Sequence, residues 1–511
     1  MQEGTMRKVR GLLALALGLA LTFIPATSTR AGTASNQRYL VVFGGTYALD
    51  GTYALGGNYA LNHEYALSLV EAAGGTVAND LSEQIGVMVV ESDSATFTEL
   101  MSSYALVEAV GEDFGWKQFP TMQEALDSGQ LTLVEPTSGS GGPEQTTDPL
   151  ESLQWDMQQI RAPQAHDKQA GARSVDVGIL DSGIDGRHPD FLLDTGGTNV
   201  DCARGRNSVS FLPSGPGAGT PDPCTDNQFH GTHVAGTVAA QANGAGIVGV
   251  APNVTLVPVK TCDASGYCYA SAVVDGITYS GDQQFDVINM SFFVDDNEFQ
   301  ESTEFKCRSD ETQNAFRQAV ERAIQYARSR GVTPVAALGN SDQDLAHPVD
   351  ENGQPISNEC EVVPAETKGV IGTASVGRQS EKARYSNYGT GVTDVTAPGG
   401  NGSTGDCRTT ILSTLPGGAY GCIQGTSMAS PHAAGVAALI VSQFGRLDAD
   451  GDVKLSPTTV EQYLQSTAVD IGLEGYDECF GNGRIDALRA VNHDTAAVYD
   501  ASAPFCPEYA E

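Results

Sequence analysis

The sequence predicts an α/β protein: a mostly parallel sheet with helices on both faces, preceded by a small ferredoxin-like α+β unit. Three observations carry this expectation. From Ser152 onward, continuous apolar runs alternate with helical stretches, as in a parallel sheet buried on both sides. Before that point, residues 39–110 follow a β-α-β-β-α-β rhythm, the ferredoxin-like order. Between the two, Pro136 to Pro149 is rich in Gly, Ser, Thr and Pro, which is linker composition and a place where nicking concentrates.

Taken in order, Arg7, Lys8 and Arg10 precede an apolar stretch from Gly11 to Ala26, with a cut expected near Ala31. That is the pattern of an export signal and is short for a membrane span. Residues 1–31 are read as that signal, and the product is expected to be released, with no membrane partner. Tyr39–Phe43, Gly86–Val90 and Leu106–Val110 read as strands, and Glu64–Ala73 and Ser94–Ser103 as helices, the first stopped by Gly74-Gly75. Tyr-Ala-Leu recurs at 47–49, 53–55, 59–61 and 65–67. This period of six is too short for a helical solenoid unit and reads as a duplicated loop, or else as a binding ribbon. Residues 32–117 form this first unit and 118–150 the linker that holds a processing site. In the remainder, 151–511, strands are expected at Val175–Leu180, Leu256–Val259, Asp286–Met290, Val332–Leu338 and Val370–Val376. Helices are expected at His230–Ala240, Ala270–Tyr279, Thr312–Arg330 and Ser427–Phe444.

Charge narrows the partners. The chain has 63 Asp and Glu against 28 Lys and Arg, a net charge of −35. Phosphates would repel it, so nucleic acid is not expected as a partner; solubility, calcium binding or a salty habitat would each account for the excess. All ten cysteines lie between Cys202 and Cys506. Export and an even count imply disulfides. Ten cysteines allow roughly nine hundred pairings; the simplest topology joins sequence neighbours, Cys202–Cys224, Cys262–Cys268, Cys307–Cys360, Cys407–Cys422 and Cys479–Cys506. No C-x-x-C occurs, so a zinc site is not expected.

Three motifs fall at strand ends or helix starts. Asp181-Ser182-Gly183-Ile184-Asp185 ends the first strand of the larger domain, His230-Gly231-Thr232-His233 opens a helix, and Gly425-Thr426-Ser427-Met428-Ala429-Ser430-Pro431-His432 opens another. A serine at a helix N-terminus sits where negative charge is favoured, and its attack on a carbonyl creates an oxyanion. Its hydroxyl needs a base, and an imidazole base needs a carboxylate to fix its tautomer. Each residue alone has an ordinary reading: Asp181 as a turn cap, His230 and His233 as core residues or a metal pair, the Ser427 helix as a buried small-residue helix. Asp448-Ala449-Asp450-Gly451-Asp452 lacks the later positions of a calcium loop and reads as a solvated acidic turn.

Together the three motifs, in the order Asp–His–Ser, resemble the subtilisin-like serine peptidases, the subtilases, over roughly residues 151 to 495. The resemblance implies Asp181 as the orienting acid, His230 as the general base and Ser427 as the nucleophile. It implies Asn340, in Ala336-Ala337-Leu338-Gly339-Asn340, as the oxyanion-hole side chain, with the Ser427 N–H as second donor. Polypeptide substrates would pair as an added strand along Ser265-Gly266 and Ser291-Phe292-Phe293, where Phe293 stands in place of the family's usual glycine. A structural calcium ion is implied, held by Asp190, by Asn243 in the loop Gln241–Ile247, and by Glu151. The first unit resembles the family's inhibitory propeptide, which blocks the cleft of a zymogen until it is cut away in the linker. The implied protein is a secreted, extracellular serine endopeptidase, a monomer, inhibited by its own propeptide. A non-catalytic binding module on the same scaffold is the alternative. An α/β-hydrolase esterase would need Asp and then His after the serine, and only His432 and His493 follow Ser427.

Overall fold

The computed structural model describes residues 37–511 apart from 45, 48–52, 55–58, 136–147, 212–221, 294–305, 350–353, 356, 358, 403–405, 448–452, 505 and 507–511. The export signal, residues 136–147 of the linker, the acidic turn at 448–452 and part of the first two Tyr-Ala-Leu copies lie outside the described residues.

A seven-stranded sheet, parallel at every pairing, organises the larger domain. Its order is Arg206–Asn207, Thr255–Lys260, Asp176–Asp181, Val287–Met290, Thr333–Ala337, Ile371–Val376 and Val395–Pro398. All five expected strands are present. The two at the edges were not anticipated: one is only two residues long, and the other, Val-Thr-Ala-Pro, is too short for a periodic signal. The chain leaves Asp176–Asp181, pairs Thr255–Lys260 on one side, then crosses to place Val287–Met290 on the other. Asp181 therefore ends the strand where the order reverses, the crevice in which open α/β sheets place their ligands.

Period-two alternation decides what covers each face. Val177 and Ile179 pack with Val234, Val238 and the Ser427 helix (Thr426–Phe444). Leu180 packs on the other side with Val273, Ile277, Phe316 and Val320 of helices Ala270–Asp282 and Glu311–Ser329. The His230 helix spans His230–Ala239. All ten cysteines are paired, between the sequence neighbours named above.

The first unit is a four-stranded antiparallel sheet in the order Gly75–Leu81, Val87–Ser92, Gln37–Phe43, Val107–Glu112, with helices Tyr59–Ala72 and Phe97–Ser103. The first helix begins five residues earlier than expected, so the third Tyr-Ala-Leu copy, like the fourth, is helical rather than loop; Ala and Leu favour that outcome. Tyr39, Val41 and Phe43 face the unit's own helices. Leu40 and Val42 face outward and join the apolar cluster of Ile277, Phe316 and Ala323 in the larger domain. Arg322, itself buried, donates to the Phe43 carbonyl at 2.8 Å, and Asp113 accepts from the Ser271 N–H at 2.8 Å at the start of helix Ala270–Asp282.

Residues 115–134 carry elements that composition did not announce. Gly115–Lys117 pairs antiparallel with Tyr267–Tyr269. Helix Met122–Asp127 follows behind a Thr121/Glu124 capping box, and Thr132–Val134 pairs with Ala419–Ile423. The segment is a strap laid across the carboxyl ends of the sheet strands.

Candidate active site

Asp181 is fully buried at its strand end, where its carboxylate accepts the Ser182 N–H at 2.8 Å. Both of its oxygens lie 3.0 Å from His230 Nδ1. This fixes the imidazole's tautomer and leaves Nε2 as its free edge. The loop leading to His230 is held by a second buried carboxylate, Asp226. One oxygen accepts from Gln228 N, Phe229 N and the Ser182 hydroxyl, and the other from Thr232 N and Thr232 Oγ1. Burial pushes the Asp226 carboxyl up, while the Thr232 bonds and the charge of Lys260 oppose that rise. Phe229, just before His230, holds φ at 141°, a strained conformation for a side-chain-bearing residue.

Ser427 lies in the first turn of its helix, where backbone N–H groups have no helical acceptor. Its hydroxyl donates to the Ser291 carbonyl at 2.9 Å, and the Ser291 hydroxyl donates back to the Ser427 carbonyl at 2.8 Å. Asn340 Oδ1 accepts from both Thr426 N and Thr426 Oγ1 at 2.9 Å. That pins the amide by its oxygen and leaves the NH₂ group as the end free to donate. His230, Ser427 and Asn340 line one cavity of about 380 Å³. The hydroxyl is turned toward Ser291 here, so attack requires it to swing to the imidazole, a tightening common when substrate binds.

The strap closes this cavity. Phe119 stacks on the His230 ring with centroids 3.6 Å apart and planes 19° apart. Gln118 N donates to Gly266 O at 2.8 Å, and Gln228 Nε2 donates to Pro120 O at 2.6 Å. The Gly266 edge thus pairs with an extended peptide, as β-augmentation requires, and that peptide is the chain's own. Ser265, beside it, donates its N–H to Asp263. Neither Phe119 nor Gln228 was anticipated; a short aromatic stretch running into the linker, Phe114-Gly115-Trp116-Lys117-Gln118-Phe119, was the signal available.

The other histidines that the motifs brought into question, His233, His432 and His493, have structural partners. His233 Nε2 meets the carbonyls of Ile411 and Gly421, and burial holds its pKa down at about 3. His432 joins Met428 O and Asp156 in full burial, so it is no partner for the serine. His493 stacks on Tyr463.

The residues expected to hold calcium gather around the loop 241–247. Asp190 is buried and accepts from Tyr420 Oη at 2.9 Å and Ile247 N at 3.0 Å. Asp148, not anticipated, accepts from Gly244 N at 2.9 Å and Asn243 N at 3.3 Å. Asn243 Nδ2 donates to the carbonyls of Pro189 and Leu192, so ligation through its oxygen requires the amide to turn over. Glu151 opens a short 3-10 turn nearby and adds its charge to the rise of Asp148. Among the described residues, no three His, Cys, Asp or Glu side chains converge as a ligand group. The donor set still fits a hard cation: burial pushes Asp190 up to about 8, with Asp148 adding to the rise, and carboxylates with loop carbonyls are the ligands calcium takes.

The chain is similar to known proteins. The family model described as "Subtilase family" matches residues 172–483. Subtilisin NAT of Bacillus subtilis subsp. natto is 33% identical over 340 residues, covering 66% of this chain and 71% of the relative. The subtilisin of Bacillus pumilus is also 33% identical, covering 66% of this chain and 99% of the relative. Among solved structures, the epidermin leader peptide processing serine protease of Staphylococcus aureus superposes with a TM-score of 0.64 at 22% identity, covering 90% of this chain and 98% of that one. A lanthipeptide protease superposes at 0.53 with 25% identity, over 66% and 93%.

Proposed function

The chain belongs to the subtilase family and is a serine endopeptidase, and from that premise we propose that Asp181, His230, Ser427 and Asn340 carry its chemistry through an acyl-enzyme. The observation that carries this reading is the His230 ring, held by Asp181 at 3.0 Å and facing a cavity shared with Ser427 and Asn340. In the first half-reaction, Ser427 Oγ bonds to the scissile carbonyl carbon while His230 Nε2 takes its proton. The Asn340 NH₂ and the Ser427 N–H receive the oxyanion. Collapse breaks the C–N bond, and the departing amine takes the proton from His230. Water then gives a proton to His230, attacks the ester and releases the acid, and the proton returns to Ser427.

We further propose that the protein is exported and made as a zymogen. The seating of residues 115–134 supports this, because Phe119 on His230 and Gln118 on Gly266 occupy the ground a substrate would need. A structural calcium ion held by Asp190, Asp148 and the 241–247 loop completes the proposal. Its chemistry there would be the neutralisation of buried carboxylates, with no part in bond breaking. The test is processing of the secreted chain. Wild type should be recovered beginning within or after residues 118–150, whereas purified Ser427→Ala should keep residues 32–117 attached and show no caseinolytic activity. Normal processing of the purified variant would contradict the reading.

A further inference from the structure

Beneath Ser427 lies a chain of buried polar groups that the reaction scheme does not use. In an α-helix, the carbonyl of one residue accepts from the N–H four positions on. Four residues after Ser427 stands Pro431, inside the same helix, and proline has no N–H to give. The Ser427 carbonyl is therefore deprived of its helical donor, and the Ser291 hydroxyl supplies one at 2.8 Å. That hydroxyl oxygen accepts from Asn289 Nδ2 at 2.8 Å. Asn289 Oδ1 accepts from Ser430 Oγ at 2.7 Å, which returns the chain to the helix. Ser291, Asn289 and Ser430 are fully buried, so water does not replace a missing member. Asn289 stands on the strand Val287–Met290, in register with Ile179 two residues before Asp181. One set of hydrogen bonds thus ties the main chain of the serine to the sheet that presents the acid.

We propose that Ser291 and Asn289 are positioning residues: they hold the Ser427 main chain by its proline-freed carbonyl, and thereby set both the hydroxyl and the Ser427 N–H. This rests on Ser427 being the nucleophile. It gives the Ser291 side chain a task separate from its backbone, which the sequence assigned to the substrate edge.

A double-mutant cycle tests it. Ser291→Ala leaves a buried carbonyl without its donor, and kcat on a peptide amide should fall about 10- to 100-fold with KM within about twofold. Pro431→Ala returns an N–H four residues after Ser427, so Ser291→Ala/Pro431→Ala should recover most of the loss, making the two changes strongly non-additive. Additive losses overturn the inference, as does a raised KM with kcat intact, which is the signature of a substrate-edge role alone. Should Ser291→Ala fail to fold, Ser291→Cys keeps the volume with a weak donor; its kcat should fall about tenfold at constant KM, and an unchanged kcat overturns the inference. Fluorophosphonate labelling of the wild type separates the two levels. A labelled Ser427 with an additive cycle sinks only this inference, whereas an unlabelled wild type sinks the nucleophile assignment itself.

Discussion

Asn340 shows how little freedom the site leaves a side chain. Its amide oxygen is held by Thr426 N and Thr426 Oγ1, and Thr426 Oγ1 also accepts from Gly339 N. In the proposed reaction the NH₂ group is then held ready without reorganisation as charge develops, which is what makes such donors effective. Asn340→Ala should lower kcat about 10²- to 10³-fold with little change in KM. Steady-state kinetics on a peptide amide checks this, and an unchanged kcat would remove Asn340 from the oxyanion hole. Asp226 acts at the same scale by gathering the 226–232 loop around one carboxylate. Neither the Asp226 cluster nor the Ser291 exchange was legible in the sequence. Their partners lie on other elements, and a motif names residue types without naming what each side chain meets.

At the scale of elements, the strands and helices that position Asp181, His230 and Ser427 were legible, because buried parallel strands and small-residue helices have strong periodic signals. Residues 115–134 were not. Their pairing partners, Tyr267–Tyr269 and Ala419–Ile423, are far away in sequence, and three-residue strands carry no period of their own. The loop 241–247 makes a separate prediction. Asp190 is ionised when it binds a cation, and burial holds its carboxyl up at about 8; proton and calcium therefore compete for it. Added calcium should raise the Tm by mass action on the native state, and the rise should be larger at pH 9 than at pH 6. Melting curves that do not move with calcium or chelator at either pH would remove the ion from the account.

For the whole molecule, the sheet's reversal of strand order places Asp181 in a crevice. Helices entering from one face bring His230 and Ser427 to the same crevice, and the strap covers it. The family and the fold class were readable because three long motifs each sit at an element boundary. What the sequence could not convey was that the chain runs through its own cleft, since linker composition describes the chain's stiffness and not where it docks. The central claim is that one hydroxyl, Ser427, is made nucleophilic by His230 held on Asp181. The most direct measurement treats the processed protein with a fluorophosphonate and maps the adduct by mass spectrometry. A single adduct on Ser427, lost in His230→Ala, is the predicted result. An adduct on another residue, or none on protein that still cleaves casein, would contradict it.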